Sequence, residues 1–318
     1  MPFLTSKAPG FKAQSRELTT TVPREYVHRA AVSEVLLTGW EHEGPADDGD
    51  RGGFVVRAQW PRCHSLFASD HGYQDPMLLV ESVRQTGSLL AHAEFDVPFG
   101  YQFLMSDLSV TADPELFRAD AVPTDIEMRT RCRDVVRRGR SLREMRYDVT
   151  VRRGSGAWAT ASAAFRCMSP DVYRRLRGER PTVCDRTPPP ALDPAAVRHG
   201  SPRHVLLGEP APATPGRWEL RVDTAHPTYF DHPTDHIPGM VLLEAARQAA
   251  HAVTGLPRAL LSGVRADFAR YAEFDAPCWI TAAVEERGTG GDLLVRVRGS
   301  QEDETVFTAD LVLRPRVS

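Results

Sequence analysis

The sequence predicts an α+β fold in which two copies of a curved antiparallel sheet each wrap around one long central helix. Three observations carry this reading. Two helical stretches far apart repeat one polar stripe, the segments after each helix favour strands, and a Pro-rich connection separates two runs of the same element order.

The later helix lies in HPTYFDHPTDHIPGMVLLEAARQAAHA, from His226 to Ala252. Pro238 and Gly239 open it, Met240, Val241, Leu242, Leu243 and several alanines fill it, and Gly255 followed by Pro257 stops it. Most of its circumference is apolar, which suits burial on nearly all sides. Glu244, Arg247, Gln248 and His251 fall at i, i+3, i+4 and i+7 and share one narrow stripe. The earlier copy, DPMLLVESVRQTGSLLAH from Asp75 to His92, has Asp75 as N-cap, Pro76 at the first helical position and the stripe Glu81, Arg84, Gln85 and Ser88. Each copy reads E-x-x-R-Q after Met and three apolar residues, and each follows a loop His and an aromatic, His64 with Phe67 and His226 with Phe230. A wetted stripe is free to drift between copies, so the repeat marks two site linings.

The other elements follow in order. Residues 1–24 are polar and irregular and read as a flexible arm. Tyr26 to Trp40 is β-prone around Val35, Leu36 and Leu37, and Phe54 to Trp60 alternates as a strand, with EGPADDGDRGG between them as a turn or mobile loop. After the first helix come strands over Tyr101 to Val110, then Ile126, Met128, Thr130 and Cys132 alternating with Glu127, Arg129, Arg131 and Arg133, then Met145 to Arg152, then Ala157 to Phe165. One apolar and one wet face marks antiparallel pairing. SPDVYRRLRGERP gives a short helix, and TPPPALDP a connection. Strands near Val205 to Gly208 and Trp218 to Val222 precede the second helix, and four more follow it to Leu313. The chain divides into a first unit over 25–180, a linker over 181–200 and a second unit over 201–318, with six strands to each unit. Alanines 245, 246, 249 and 250 let the sheet approach the helix closely.

Composition narrows the function. A chain of 318 residues with 42% hydrophobic and 25% charged residues is ordinary globular material, long enough for two domains. The net charge of -3 gives no support for nucleic-acid binding. No apolar run reaches about 18 residues, so no membrane span is expected, and the N-terminal stretch lacks the apolar centre of a signal peptide, which favours the cytoplasm. Five scattered cysteines without CxxC spacing suggest reduced thiols, neither a disulfide framework nor a zinc site. His226, His232 and His236 with Asp231 and Asp235 form a cluster, but their spacing is not that of a zinc helix, so no metal and no other cofactor is expected.

HIPGMVLLEAARQAA resembles the central-helix motif of hotdog-fold 3-hydroxyacyl-ACP dehydratases, which implies His226, Glu244 and Gln248 as their loop His, helix Glu and following Gln. With the DPMLLVESVRQ copy, RYAEFDAPCWI and SPDVYRRLRG added, the chain from about residue 25 onward is more similar to the A-factor biosynthesis hotdog family of γ-butyrolactone synthases. That resemblance implies a tandem double hotdog whose two halves pair with each other, with further association into a homo-oligomer left open. It also implies an acyltransferase that joins a β-ketoacyl group, carried as a thioester on acyl carrier protein or CoA, to dihydroxyacetone phosphate, early in the making of a small diffusible signal.

The sequence departs from the dehydratase pattern where this matters. The His226 loop carries extra residues, the first helix opens with Asp75-Pro76 where the second has Pro238-Gly239, and each helix sets an Arg three residues after its Glu. A neutral acyl chain has no use for that guanidinium, whereas a phosphate-bearing acceptor does. Ester formation needs a base, oxyanion donors and a phosphate clamp. Glu81 or Glu244 is the expected base with His226 beside it, Arg84 and Arg247 the clamps, the helix starts including Gly239 the backbone donors, and Gln85, Gln248 and His64 further substrate contacts. A dehydratase or thioesterase, or a non-catalytic acyl-binding module, are the alternatives. Cys63 beside His64 is a weak thiol-nucleophile candidate because adjacent side chains in an extended segment point apart. The Arg-rich strands from Arg129 to Arg153 are solvated faces or a docking surface for an acidic carrier.

Overall fold

A computed structural model describes residues 19–44, 53–139, 141–210, 214–288 and 290–316. The period-two segments all become strands. β1 (Leu37–His42) and β2 (Gly53–Trp60) precede helix α1 (Met77–Ala93). β3 (Gln102–Ala112), β4 (Thr124–Arg138), β5 (Ser141–Arg153) and β6 (Gly156–Met168) follow it. After the short helix α2 (Pro170–Arg177) come β7 (Arg217–Glu219) and helix α3 (Gly239–Thr254). β8 (Ala259–Phe268), β9 (Trp279–Arg287), β10 (Leu293–Gln301) and β11 (Glu304–Pro315) complete the chain. All named strands join one antiparallel sheet in the order β1-β2-β4-β5-β6-β3-β8-β11-β10-β9-β7. Its two arms meet where β3 pairs β8, Val110 opposite Val264 and Leu108 opposite Ala266, with all four side chains buried.

Alternation decides which face is dry. Ile126, Met128, Thr130 and Cys132 of β4 and Met145, Tyr147, Val149 and Val151 of β5 are buried, while Arg129, Arg131 and Arg133 stay exposed. Fifteen of the 17 residues of α1 and 11 of the 16 of α3 are buried, because each helix lies against its own arm: α1 against β1, β2, β5 and β6, and α3 against β8 to β11. Small residues set the approach. Ala245, Ala246, Ala249 and Ala250 are fully buried, and a Cβ on Gly87 would sit 2.6 Å from the hydroxyl of Tyr147, which donates to the Val83 carbonyl at 2.8 Å. α1 opens with the Asp75 carboxylate accepting from the Met77 N–H at 2.9 Å, and α3 closes on Gly255 at φ 58°, a left-handed cap.

Several expectations change. The strand expected over Val205 to Gly208 reduces to isolated bridges, Leu207 to Leu220 and Ala191 to Gly208, so the later arm has five regular strands among the described residues and not six. Of Tyr26 to Trp40 only the last four residues, from Leu37, join strand β1, and two 3-10 turns, Arg24–Val27 and Val32–Glu34, come before it. Of the N-terminal arm, residues 1–18 lie outside the described residues. Val22 is buried, and its N–H donates to Leu37 at 3.0 Å, because its apolar side chain joins the core. Most of EGPADDGDRGG likewise lies outside the described residues. The Pro-rich connection is ordered at its end: Asp193 caps a turn over Pro194–Val197 and Val197 is fully buried.

Candidate active site

The two polar stripes fold into matching clusters. In the first, Glu81 Oε2 accepts from Arg84 Nε at 2.8 Å, and Oε1 from Arg84 Nη2 at 2.7 Å and Gln85 Nε2 at 2.8 Å. In the second, Glu244 Oε2 accepts from Arg247 Nε at 2.8 Å, and Oε1 from Arg247 Nη2 at 2.7 Å and Gln248 Nε2 at 2.9 Å. Each Gln then reaches the turn in front of it. Gln85 accepts from Leu36 N–H and donates to the Glu34 carbonyl; Gln248 accepts from Leu206 N–H and donates to the His204 carbonyl. The loop histidines match as well. His64 Nδ1 accepts from the N–H groups of Leu66 and Phe67, and His226 Nδ1 from those of Thr228 and Tyr229.

The clusters differ in one further partner, which the helical stripes do not announce. Arg29 donates to Glu81 Oε1 from Nε at 3.0 Å and Nη2 at 2.6 Å, whereas His199 Nε2 takes the corresponding place 2.7 Å from Glu244 Oε1. Both come from the segments around 3-10 turns, where no helical or strand periodicity exists to flag them. A signal is present all the same: V-H-R-A-A-V-S-E-V-L-L from Val27 aligns with V-R-H-G-S-P-R-H-V-L-L from Val197, matching Arg29 with His199 and Glu34 with His204. His64 Nε2 lies 3.3 Å from Glu34, and His226 Nε2 lies 2.9 Å from His204 Nδ1.

The electrostatics follow from these contacts. Burial works to neutralise Glu81, but the charges of Arg29 and Arg84 and the hydrogen bonds from Arg84 and Gln85 outweigh it and bring its pKa down to about 2. Burial opposes ionisation of Glu244 in the same way, and Arg247 and His199 hold it far below the carboxylate range. Burial also works to discharge Arg84, and Glu81 keeps it charged. Both carboxylates therefore stand as occupied anions. Burial, with His204 nearby, lowers His226 to about 4. His28 and His251 fall to about 3, again chiefly through burial.

A cavity of about 250 Å³ opens between the middle of α1 and the start of α3. The first half contributes Arg29, Arg84 and Ser88, and the later half contributes the loop from Thr228 to the start of α3, including Gly239 and Glu244. Phe67, Phe103, Met105, Phe165 and Met240 give it an apolar wall. Of the expected site residues, Arg84, Gly239 and Glu244 line this cavity, while Glu81, Gln85, Arg247, Gln248, His64 and His226 stand behind it. Gly239 and Met240 open α3 at the cavity wall, and among the described residues their N–H groups have no acceptor, whereas Val241 and Leu242 donate to the Pro238 carbonyl.

The surroundings of Arg247 on α3 differ from those of Arg84. Asp75, buried at the entry to α1, sets Oδ2 3.7 Å from Arg247 Nη2. The residue two before Met77 is Asp75, and the residue two before Met240 is Pro238. An acid caps one helix and faces the other helix's arginine, while its counterpart brings no charge. Among the described residues no group of three or more His, Cys, Asp and Glu is arranged to hold a metal ion. The cysteines described are free thiols, with Cys63 exposed. No helix of the described residues is long and apolar enough to cross a membrane.

Comparison with known proteins fits this geometry. A protein of Streptomyces virginiae named 2-oxo-3-(phosphooxy)propyl 3-oxoalkanoate synthase is 49% identical over 292 residues, covering 92% of this chain and 97% of that protein. One of the same name from Streptomyces coelicolor is 41% identical over 291 residues, 91% and 90% of the two chains. The solved 12:0-ACP thioesterase from Umbellularia californica superposes with a TM-score of 0.51 at 12% identity, over 82% of this chain and 94% of that one, a likeness of fold alone. Residues 11–169 and 182–315 match the A-factor biosynthesis hotdog domain, and the chain belongs to that family.

Proposed function

We propose that the protein is an acyltransferase that condenses a β-ketoacyl thioester, on acyl carrier protein or CoA, with the hydroxyl of dihydroxyacetone phosphate. The names of its relatives support this product, and one observation carries it to this site. Arg84, charged and oriented by a buried carboxylate, lines an apolar-walled cavity that also holds a helix N-terminus. In this reading the chain is a tandem double hotdog, with units over 25–180 and 201–318 joined by 181–200, and each site combines one unit's helix with the other's loop.

The roles follow from the chemistry. The acceptor phosphate pairs with Arg84, a planar donor suited to phosphate oxygens. The acyl chain lies along Phe103, Met105 and Phe165. The thioester carbonyl points at the N–H groups of Gly239 and Met240, which stabilise the oxyanion as the acceptor oxygen adds to the carbonyl carbon. The C–S bond then breaks, and the thiol leaves with the proton that the hydroxyl gave up. Glu81 and Glu244, each already engaged by several donors, act as anchors for Arg84 and Arg247 rather than as bases. His64, His226, Gln85 and Gln248 fix the backbone around them.

The test is direct. Purified protein is incubated with a β-ketoacyl thioester and dihydroxyacetone phosphate, and the products are weighed by mass spectrometry. The β-ketoacyl phosphate ester is expected. Free acid or an enoyl product formed regardless of the acceptor would place the protein with thioesterases or dehydratases, and no turnover at all with a binding module.

A further inference from the structure

We propose that His236, oriented by Asp235, is the general base that takes the proton from the acceptor hydroxyl. This deepens the acyl-transfer reading and rests on it. The two loop histidines of the repeated motif, His64 and His226, have both ring nitrogens engaged. His226 accepts two N–H groups on Nδ1 and meets His204 on Nε2; His64 accepts two on Nδ1 and meets Glu34 on Nε2. His28, at the cavity, meets His92 Nε2 through its own Nε2 at 2.7 Å. Glu81 and Glu244 accept on both oxygens. His64 and His226 thus have no free nitrogen, His28 with its pKa lowered to about 3 is too weak a base, and the ion-paired carboxylates are held well below the usual carboxylate range.

His236 does. It lines the cavity that Arg84 lines, its Nδ1 lies 2.7 Å from Asp235 Oδ1, and among the described residues no hydrogen bond occupies its Nε2. A carboxylate on Nδ1 fixes the tautomer with the lone pair on Nε2 and stabilises the imidazolium that forms. His232 lacks this arrangement. Its Nδ1 is 3.6 Å from Asp231, whose two oxygens already accept from the N–H groups of Ala30 and Ala31.

Asp235 is itself held by a strut. Tyr173 of α2 donates its hydroxyl to Asp235 Oδ1 at 2.6 Å, and Arg177 donates to the Asp235 carbonyl at 3.0 Å while pairing with Glu273. Arg177 lies over the ring of Tyr271, 4.0 Å from its centroid, and His236 packs edge-on against the same ring at 4.9 Å. This gives the S-P-D-V-Y-R-R-L-R-G motif a task that connecting two halves leaves unexplained. Burial works to raise the Asp235 pKa, but the hydrogen bonds from His236 and Tyr173 outweigh it and keep the carboxylate ionised.

The proton balance closes. The acceptor O–H proton passes to His236 Nε2 as the oxygen bonds to the thioester carbon. The imidazolium then returns that proton to the departing sulfur as the C–S bond breaks. His236 is thus a catalytic residue and Asp235 a positioning residue.

The full-length enzyme is assayed for thiol release, with a β-ketoacyl-CoA and dihydroxyacetone phosphate as probes. Wild-type product identity bears on the acyl-transfer reading, and the variants, compared with wild type on the same release, bear on the dyad. His236→Gln and His236→Asn should lower kcat about 10²- to 10⁴-fold with KM for either substrate within a few-fold. Added imidazole should restore part of the rate in His236→Gly. Asp235→Asn should lower kcat by a smaller factor, again with KM little changed. In the wild type, diethyl pyrocarbonate should abolish turnover in step with labelling of His236, located by tandem mass spectrometry, and dihydroxyacetone phosphate should protect it. A folded His236→Gln with kcat within several-fold of wild type, or loss of turnover without label at His236, overturns the proposal.

Discussion

The two helix-centred clusters share a hydrogen-bond skeleton and differ in what surrounds it. Glu81 is held by two arginines that both line the cavity, whereas Glu244, itself at the cavity, is held by His199 and one arginine that stands back from it, with Asp75 facing that arginine. The skeleton is a structural solution for burying an ion pair: each carboxylate and guanidinium satisfies the other, and a Gln ties the pair to the backbone in front. The charge beside each pair is set elsewhere, in part by the two residues that open each helix. Pro238-Gly239 brings no charge toward Arg84, while Asp75-Pro76 brings a carboxylate to Arg247. Equal motifs therefore do not make equal sites.

That contrast can be broken most forcefully at the arginines. Arg84→Met is expected to raise KM for dihydroxyacetone phosphate about 100-fold, in line with the roughly 2–5 kcal/mol lost when a buried charge-pair partner is truncated, with little change in KM for the thioester. Arg247→Met should leave the acceptor KM close to wild type. Steady-state kinetics with each substrate varied decide it, and equal effects at both arginines would end the distinction between the sites.

Next in size come the carboxylates. Removing one partner of a buried pair costs about 3–5 kcal/mol, and Glu81→Gln strands two guanidinium groups where Glu244→Gln strands one beside Asp75. Denaturant unfolding should therefore find Glu81→Gln the more destabilised, and the reverse order would contradict the pairing described.

Acid separates the groups further. His226 is held neutral, with its pKa lowered to about 4, so the unfolded chain binds its proton first; stability from this group is present above the unfolded value of about 6.5 and is lost as pH falls toward 4. Glu81, lowered to about 2, contributes above its unfolded value of about 4.3 and loses that contribution only below it. Stability measured between pH 6.5 and about 5.5 should fall with a slope that His226→Gln reduces by up to about 1.4 kcal/mol per pH unit, while Glu81→Gln leaves that slope nearly unchanged.

The smallest effect belongs to Asp75. Asp75→Ala removes a helix cap and should cost about 1 kcal/mol, whereas Asp75→Asn keeps an acceptor for the Met77 N–H and should cost less. Thermal melts of the two variants separate the cap from the charge.

Much of this molecule is legible in its residues, for reasons that can be named. The stripe Glu81, Arg84, Gln85 is visible because a helix puts i, i+3 and i+4 on one face whatever surrounds it, and the strands are visible because burial on one side forces alternation. Arg29 and His199 are not, since a 3-10 turn imposes no period on its residues and only their aligned flanking V-x-x and V-L-L betray them. The segment from Val205 to Gly208 reads as a strand without forming a regular one, because β-branched and apolar residues also suit an extended connection that pairs at isolated points. His236 sits in a cluster whose composition suggests metal ligands; its partnership with Asp235 depends on a strut from Tyr173 and Arg177, about sixty positions away and beyond the reach of local patterning.

The sequence alone determined the two buried rods, their acid and guanidinium stripes, and the family to which they belong, because these depend on short-range geometry repeated in one chain. Only the tertiary structure decided that Arg84 and Glu244 share a cavity, that Asp75 is turned toward Arg247, and that the motif's two loop histidines have no free nitrogen. Those outcomes depend on which arm of the sheet meets which, at the pairing of β3 with β8, and that pairing brings the loop of one half onto the helix of the other.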